Sequence, residues 1–191
     1  KPGMYEYQLE AEYVHEFISN GARACAYPSI VGGGKNACVL HYNENKNILN
    51  DGDLVLVDAG CEFNNYASDI TRTFPINGKF TKEQRDIYEI VLEANKKSIE
   101  TVIPGSNPLK AHEASIQVIS QGLIDLGLLD GELSEIIESN SYFDFYMHRV
   151  GHYMGLDVHD VGGKDINGDW LDFAPGMITT IEPGIYINEN L

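Results

Sequence analysis

The sequence has few basic residues and lacks any long apolar run. Thirteen Lys and Arg stand against 29 Asp and Glu, which gives a formal net charge of −16. Nucleic acids and anionic membrane surfaces attract proteins through Lys and Arg, so this balance argues against both as partners. No run of about 18 apolar residues occurs, which excludes an ordinary membrane-spanning helix.

Cysteine is also scarce. Cys25, Cys38 and Cys61 are too few and too scattered for a disulfide framework, and no C-x-x-C pair is present for a zinc ribbon. We therefore expect three reduced thiols in a cytoplasmic protein. The sequence opens at Lys1 without a charged-then-apolar leader, so no signal peptide is predicted.

The residues that are present predict a single domain of mixed structure. Hydrophobic residues make up 43% of the 191 residues, which is enough for a buried core. Four helices are predicted. They cover Met4–Asn20, a long segment that begins at Thr81, the segment from Ser106–Pro108 to Gly127, and Glu132–Asn140. Thr81 and Gln84 form a capping box at the start of the second helix. Strands are predicted over Ala26–Val31, Ala37–Tyr42, Asp53–Cys61, Tyr66–Phe74, Val150–His159 and Met177–Ile187. Helices grouped between strands, without a strand–helix alternation, favour the α+β class.

The predicted hairpin contains two aspartates that can face each other. Asp58 ends an apolar strand, where an isolated charge is costly to bury. A turn at Phe63–Asn64 would place Asp58 directly opposite Asp69, with both side chains on one face. Two facing carboxylates repel unless a proton or a cation lies between them. The structural alternative is one aspartate capping a turn and the other in solvent; a bound cation explains the pair better.

Further ligand types follow later in the sequence. His148, His152 and His159 are half of the six histidines, and glycines flank His152 closely enough to let backbone or ligand approach. Glu182 stands alone in an otherwise apolar stretch. Taken singly, each residue is more often structural. Together with the aspartates they form an oxygen-rich set with imidazole, which suits two ions of Mn²⁺, Co²⁺, Fe²⁺ or Zn²⁺ better than a structural zinc.

The order Asp58, Asp69, His152 and Glu182 resembles that of the pita-bread metallopeptidases. Six short stretches strengthen the resemblance: Gly3–Tyr7, His41–Asn45, Val57–Gly60, Ser68–Pro75, Gly155–Gly162 and Glu182–Tyr186. They are similar to the aminopeptidase P and prolidase branch of the family, with bacterial aminopeptidase P closest and prolidase next. The resemblance implies an α+β pita-bread fold, in which a curved antiparallel sheet is covered by helices.

The resemblance also implies a role for each site residue. Asp58 would bind one metal ion, Asp69 would bridge two, and His152 and Glu182 would hold the second. Mn²⁺ is the expected metal, with Co²⁺, Zn²⁺ or Fe²⁺ as alternatives. All four ligand types are present, which disfavours the metal-free state of creatinase, a relative that keeps the fold without the ligands.

Three histidines and the metal ligand Glu182 would take part in catalysis. By the same resemblance, His41, His148 and His159 would line the substrate site and stabilise the scissile carbonyl or the tetrahedral intermediate. Glu182 would also accept the proton of the water that bridges the two metal ions. That water loses its proton near neutral pH when two dications hold it.

The family pattern further predicts that residues 1–191 are one catalytic domain, incomplete at the C-terminus. A second bridging Glu belongs on a strand beyond Leu191, and an additional domain belongs before Lys1. Loss of one bridging carboxylate would lower metal affinity and can leave this stretch inactive by itself.

The predicted activity is hydrolysis of the peptide bond between an N-terminal residue and a following proline. An Xaa-Pro dipeptidase is the alternative within the enzymes, and a non-catalytic pita-bread module that binds peptides or partners is the alternative of another class. Facing carboxylates argue against a pure binding module. The resemblance also implies a homo-oligomer for the full-length protein.

Overall fold

The computed structural model describes residues 1–164 and 167–188, and the chain divides into two units. The first unit contains Lys1–Gln84, Met154–Val158 and the residues from Ile187. The second contains Arg85–Tyr153 and His159–Tyr186. Within the described stretches, no helix combines the length and the apolar character needed to cross a membrane.

Among its described residues, the first unit contains one complete α-helix and six short strands. In chain order these are α1 (Glu6–Ser19), β1 (Ala24–Cys25), β2 (Ile30–Gly33), β3 (Leu54–Ala59), β4 (Cys61–Phe63), β5 (Tyr66–Ala67) and β6 (Ile70–Pro75). All strand pairs are antiparallel and form two three-stranded sheets, ordered β1-β4-β5 and β2-β3-β6.

Alternation along β3 decides which side chains enter the core of this unit. Val55, Val57 and Ala59 are buried, while the residues between them are half-buried on the other face. The apolar stripe of α1 that the sequence predicts covers this core through Leu9, Tyr13 and Phe17. Asp58 therefore lies on the face of β3 opposite the core.

The predicted hairpin forms, but its register is wrong by two residues. Phe63 pairs with Tyr66, so the turn is centred on Asn64–Asn65, and both asparagines have positive φ. Asparagine tolerates this left-handed conformation, which a type I′ turn requires at both central positions. Asp58 consequently pairs with Thr71, two residues beyond Asp69. Because side chains alternate with a period of two, both registers leave the two aspartates on one face.

The second unit is mainly helical. It contains α2 (Lys82–Glu100, whose first turn belongs to the first unit), α3 (Pro108–Asp125) and α4 (Leu133–Ser139), followed by a 3₁₀ turn at Ser141–Asp144. Its core is formed by Ala94, Ile116, Ile119, Leu123, Ile136, Tyr142, Phe145 and Tyr146.

The predicted starts of α2 and α3 are confirmed at the level of hydrogen bonds. Thr81 and Gln84 exchange the two bonds of a capping box, at 3.0 and 3.2 Å. Asn107 caps α3 by accepting a hydrogen bond from the backbone of Lys110, and Pro108 occupies the first turn.

All four strands predicted in the first unit are wrong in part or whole. Asp53–Cys61 is divided at Gly60 into β3 and the start of β4. The region of Ala37–Tyr42 begins in a 3₁₀ helix, Gly34–Cys38, because Gly34 adopts φ +55° and turns the chain. Ala26–Val31 overlaps a strand only at its end, in β2. Tyr66–Phe74 is divided into β5 and β6.

The two later strand predictions, Val150–His159 and Met177–Ile187, yield only a fragment of ladder in the described residues. Tyr153 and Thr179 form an isolated bridge. Beside it, the amide of Thr180 donates to the carbonyl of His152 at 2.9 Å. The amide of Glu182 donates to the carbonyl of Val150 at 2.7 Å. These few bonds hold the segments together without forming a regular strand.

Candidate metal centre

The two aspartates of the first unit meet at a tyrosine hydroxyl. The Tyr27 hydroxyl lies 2.5 Å from Asp58 Oδ1 and 2.9 Å from Asp69 Oδ1. One phenol carries one proton, so it can donate fully to only one carboxylate at a time. Two carboxylates gathered at one hydroxyl favour a nearby proton or cation, since like charges repel.

The environment of Tyr27 keeps its phenol protonated. Burial raises the pKa of Tyr27 above its usual value, and the hydrogen bond to Asp58 and the negative charges of both aspartates raise it further. The hydroxyl is therefore a donor at every physiological pH. Its role is to orient the aspartates, because a neutral phenol cannot neutralise them.

The backbone between the aspartates is held by an unusually close approach. A Cβ on Gly60 would lie 1.7 Å from the carbonyl oxygen of Ser68, so only glycine fits there. The Ser68 hydroxyl accepts from the amide of Cys61 at 2.9 Å and donates to its carbonyl at 3.0 Å. These contacts hold Ser68, the residue before Asp69, against the segment that follows Asp58, and they explain why residue 60 is glycine.

In the second unit, His152 and Glu182 form the corresponding pair. His152 Nε2 lies 3.1 Å from Glu182 Oε1, and His152 Nδ1 lies 3.0 Å from the carbonyl oxygen of Tyr153. A carbonyl can only accept, so Nδ1 carries the hydrogen and fixes the ring. Nε2 is then the atom that faces the carboxylate, either protonated or as a lone pair that can bind a metal ion.

Thr180 joins the two members of this pair. Its hydroxyl accepts from the backbone amide of His152 at 2.9 Å and donates to Glu182 Oε1 at 2.8 Å. A Cβ on Gly151 would lie 2.0 Å from the carbonyl oxygen of Thr180. The close approach expected from the glycines around His152 is therefore present at Gly151.

His148 is held on both sides of its ring. Its Nδ1 lies 2.8 Å from the carbonyl oxygen of Arg149, and its Nε2 lies 2.9 Å from the hydroxyl of Tyr186. Nδ1 must donate to the carbonyl, so a neutral ring accepts the tyrosine proton at Nε2. The rings of Tyr146 and Tyr186 pack edge-on against it, with centroids 5.1 and 5.4 Å away.

His159 and His41 have different surroundings. His159 is exposed and packs edge-on against the ring of His152, with centroids 4.3 Å apart. His41 belongs to the first unit, where it is exposed and has φ +56°. Such a φ is uncommon for a residue with a side chain and requires support from its surroundings.

The fully buried carboxylate of Glu6 supplies that support to the segment of His41. Glu6 Oε1 accepts from the Gly33 amide and the Asn36 side chain, both at 2.9 Å; Oε2 accepts from the Tyr42 hydroxyl at 2.7 Å and the Asn47 amide at 2.9 Å. Burial, followed by the bond to Glu6, raises the pKa of Tyr42 to about 12. The neighbour of His41 in sequence is thereby fixed to α1.

The donor atoms of each unit fit a divalent metal ion. Asp58 and Asp69 offer carboxylate oxygens on one face of a sheet, and His152 and Glu182 offer a nitrogen and an oxygen 3.1 Å apart. Carboxylate and imidazole are ligands that Mn²⁺, Fe²⁺, Co²⁺ and Zn²⁺ accept. In both units a neighbouring hydroxyl, from Tyr27 or Thr180, orients a donor.

Sequence reasoning missed the residues that orient the ligands. The sequence alone does not single out Tyr27 or Thr180, and it indicates Tyr186 only as the end of the stretch Glu182–Tyr186. The signal for Tyr27 is indirect: two carboxylates on one face need a nearby donor, but nothing in the sequence says which residue provides it. For Thr180, the two-residue spacing to Glu182 was available as a signal.

The comparisons with known proteins agree on one family. The sequence pattern of metallopeptidase family M24 matches residues 1–191. The Xaa-Pro aminopeptidase of Haemophilus influenzae is 53% identical over 100% of this chain, and that of Escherichia coli is 50% identical over 98%. The structure of Pseudomonas aeruginosa aminopeptidase PepP matches with a TM-score of 0.96 and 55% identity, over 98% of this chain and 42% of that one. The chain spans 44% and 42% of the two curated relatives.

Proposed function

Because the chain belongs to metallopeptidase family M24 and has its pita-bread fold, we propose that the whole protein is a metal-dependent Xaa-Pro aminopeptidase. It hydrolyses the peptide bond between an N-terminal residue and a following proline. The observation that carries the proposal is identity of 50% or more, over nearly the entire chain, to two relatives named for that activity. Because the chain spans less than half of those relatives, the proposal concerns the full-length protein.

From the family resemblance, the proposed metal ligands are Asp58 for one ion, Asp69 as a bridge to a second, and His152 and Glu182 for that second ion, with Mn²⁺ as the proposed metal. Support comes from the donor chemistry of each pair and from hydroxyl groups that orient three of the four ligands. The family implies divalent metal ions; their number and identity are part of this proposal.

Divalent ions bound there would lower the pKa of water and polarise the peptide carbonyl. The chain's own residues prepare the site for that chemistry. The Tyr153 carbonyl fixes the Nδ1–H tautomer of His152, and Thr180 occupies Glu182 Oε1. The second oxygen, Oε2, is the atom that we propose accepts the proton of the attacking water.

Three histidines are proposed to bind the substrate around the scissile bond. His148 is the most firmly positioned of the three: Nδ1 donates to a backbone carbonyl, two tyrosine rings pack against it, and Nε2 would exchange the Tyr186 hydroxyl for the substrate. His159 packs against the ring of His152, and His41 lies beside the anchored Tyr42. Proline has no amide N–H, so the site must recognise the bond by shape and by its carbonyl oxygen.

The test is a substrate comparison with full-length protein loaded with Mn²⁺. We expect release of the N-terminal residue from an Xaa-Pro-Yaa tripeptide, and no release when alanine replaces the proline. Cleavage of an Xaa-Pro dipeptide with no cleavage of the tripeptide would assign the protein as a dipeptidase instead. Binding of the tripeptide without hydrolysis, at any divalent ion tested, would assign a peptide-binding module.

Two further features belong to the proposal. A cytoplasmic location is supported by three cysteines that are free thiols in the structure. Homo-oligomerisation of the full-length protein stays a prediction from the family resemblance, and sedimentation of that protein measures it.

A further inference from the structure

Two of the three cysteines face each other across neighbouring strands of the first unit. Cys25 in β1 and Cys61 in β4 are partners in the antiparallel register, and both are half-buried free thiols. Side chains at directly opposite positions lie on the same face of a sheet. The two thiols are therefore neighbours although 35 residues separate them in the sequence.

The hydrogen-bond pattern shows which kind of pair this is. The amide of Ala26 donates to the carbonyl of Gly60 at 2.9 Å, so Ala26 and Gly60 are a hydrogen-bonded pair. Bonded and non-bonded pairs alternate along an antiparallel ladder, which makes Cys25 and Cys61 a non-bonded pair. In agreement, the amide of Cys61 donates to the Ser68 hydroxyl at 2.9 Å. Non-bonded pairs bring their Cα atoms to about 4.5 Å, the closest approach in a sheet.

We propose that Cys25 and Cys61 are a redox-sensitive pair that forms a reversible disulfide when the protein meets a small-molecule disulfide such as oxidised glutathione. A Cα separation of about 4.5 Å lies within the range that a disulfide spans, roughly 4.4–6.8 Å. The β carbons of such a pair stand about 4.5–5.5 Å apart, so they must approach by about 1 Å to reach the usual disulfide spacing.

The position of β1 makes that approach feasible. This strand contains two residues and lies at the edge of the three-stranded sheet, paired on one side with β4. A short edge strand can shift more readily than a strand held on both sides. The residual strain makes the bond easier to reduce than an ordinary structural disulfide, so reversibility is expected.

The chemistry balances with glutathione disulfide as the oxidant. The thiolate of one cysteine attacks a sulfur of glutathione disulfide, which forms a mixed disulfide and releases one glutathione thiolate. The second cysteine, as its thiolate, attacks the protein sulfur of that mixed disulfide and displaces the second glutathione. Two protein thiols are oxidised, and the two electrons and two protons end on two glutathione thiols.

The third cysteine provides a matched control. Cys38 lies in the first unit, where its thiol donates to the carbonyl of Ile187 at 3.4 Å. Burial raises the pKa of the Cys38 thiol, so less thiolate is available for exchange. Cys38 lies outside the strands, so the pairing of the two sheets places no cysteine opposite it.

The test follows thiols and mass in full-length protein equilibrated with mixtures of reduced and oxidised glutathione. Wild-type protein and Cys38→Ser are expected to become two hydrogens lighter, to yield a linked peptide of Cys25 and Cys61, and to recover both thiols with dithiothreitol. Cys25→Ser and Cys61→Ser are expected to stop at a glutathione adduct. Closing a loop of this length raises Tm by about 5–10 °C for the oxidised wild type over the reduced form.

Two results would overturn the inference. One is wild-type protein that gains two glutathione molecules without a linked peptide; the other is a linked peptide that contains Cys38. No activity measurement enters the test, so its failure leaves the proposed peptidase function untouched.

Discussion

The two units position their proposed metal ligands by different physical means. In the first, Asp58 lies in a strand whose alternation fixes the face of its side chain, and the hairpin brings Asp69 to the same face. In the second, His152 and Glu182 lie on irregular backbone. Two backbone hydrogen bonds, the close packing of Gly151 and the Thr180 hydroxyl hold them together. A sheet positions ligands through a repeating pattern, whereas an irregular segment needs an individual contact for each ligand.

The largest expected effect comes from removing one aspartate of the sheet-borne pair. Asp69→Asn in the full-length protein should lower activity by more than about 100-fold, because even residues that only orient a ligand are worth about 10–100-fold. The volume barely changes, so Tm should stay within about 3 °C of wild type. Exposed Asp130→Asn makes the same chemical change and should retain full activity. Wild-type turnover in Asp69→Asn would show that this carboxylate binds no metal.

The next effect compares the two orienting hydroxyls directly. Tyr27→Phe and Thr180→Val each remove one hydroxyl and should lower Mn²⁺ affinity by about 10–100-fold. Thr180→Val should also lower Tm, because the backbone amide of His152 loses its acceptor; Tyr27→Phe leaves the ladder intact. Calorimetric titration and thermal melts measure both. Equal losses of Tm in the two variants would contradict the difference between sheet and irregular backbone.

Replacement of the buried carboxylate of Glu6 tests how the segment that contains His41 is anchored. Glu6→Gln places an amide group against two of the four donors that surround Glu6, which should lower the free energy of unfolding by about 3 kcal/mol. Exposed Glu12→Gln on the same helix should change it by less than about 0.5 kcal/mol. Denaturant titration measures both variants. Similar midpoints for the two would mean that the four hydrogen bonds do not anchor this segment.

The smallest expected effect is a pH dependence that originates in the second unit. Burial first, then the charges of Arg149 and His148, lower the pKa of His112 from 6.5 to about 4. Between those values the unfolded chain takes up a proton that the folded chain does not, so stability falls as pH decreases through this window. After allowance for partial exposure, the loss from pH 7 to pH 5 is about 1 kcal/mol.

The variant His112→Phe keeps an aromatic ring against Tyr146 and cannot titrate. It should lose less stability than wild type between pH 7 and pH 5, whereas exposed His15→Asn should follow the wild type. Chemical denaturation at both pH values measures the difference. An identical pH slope for His112→Phe would contradict the neutral state of this half-buried histidine.

The contrast between the units also explains which parts of the fold and of the candidate site could be predicted from the sequence. Helices α1 to α4 were predictable from apolar spacing and from local signals such as the Thr81 capping box and Pro108 in the first turn of α3. The shared face of Asp58 and Asp69 was predictable despite the wrong turn, because strand periodicity tolerates a shift of two residues. The contacts of Tyr27 with the two aspartates and of Thr180 with His152 were not predictable, since each joins residues that only the tertiary structure brings together.

The most direct test of the account is a Mn²⁺ titration of metal-free full-length protein by calorimetry, with Asp69→Asn and His152→Ala beside the wild type. If Asp69 and His152 are metal ligands, the wild type binds two ions per chain, and each variant binds Mn²⁺ more weakly or binds fewer ions. Two ions bound with unchanged affinity by either variant would contradict the proposal that the replaced residue is a metal ligand.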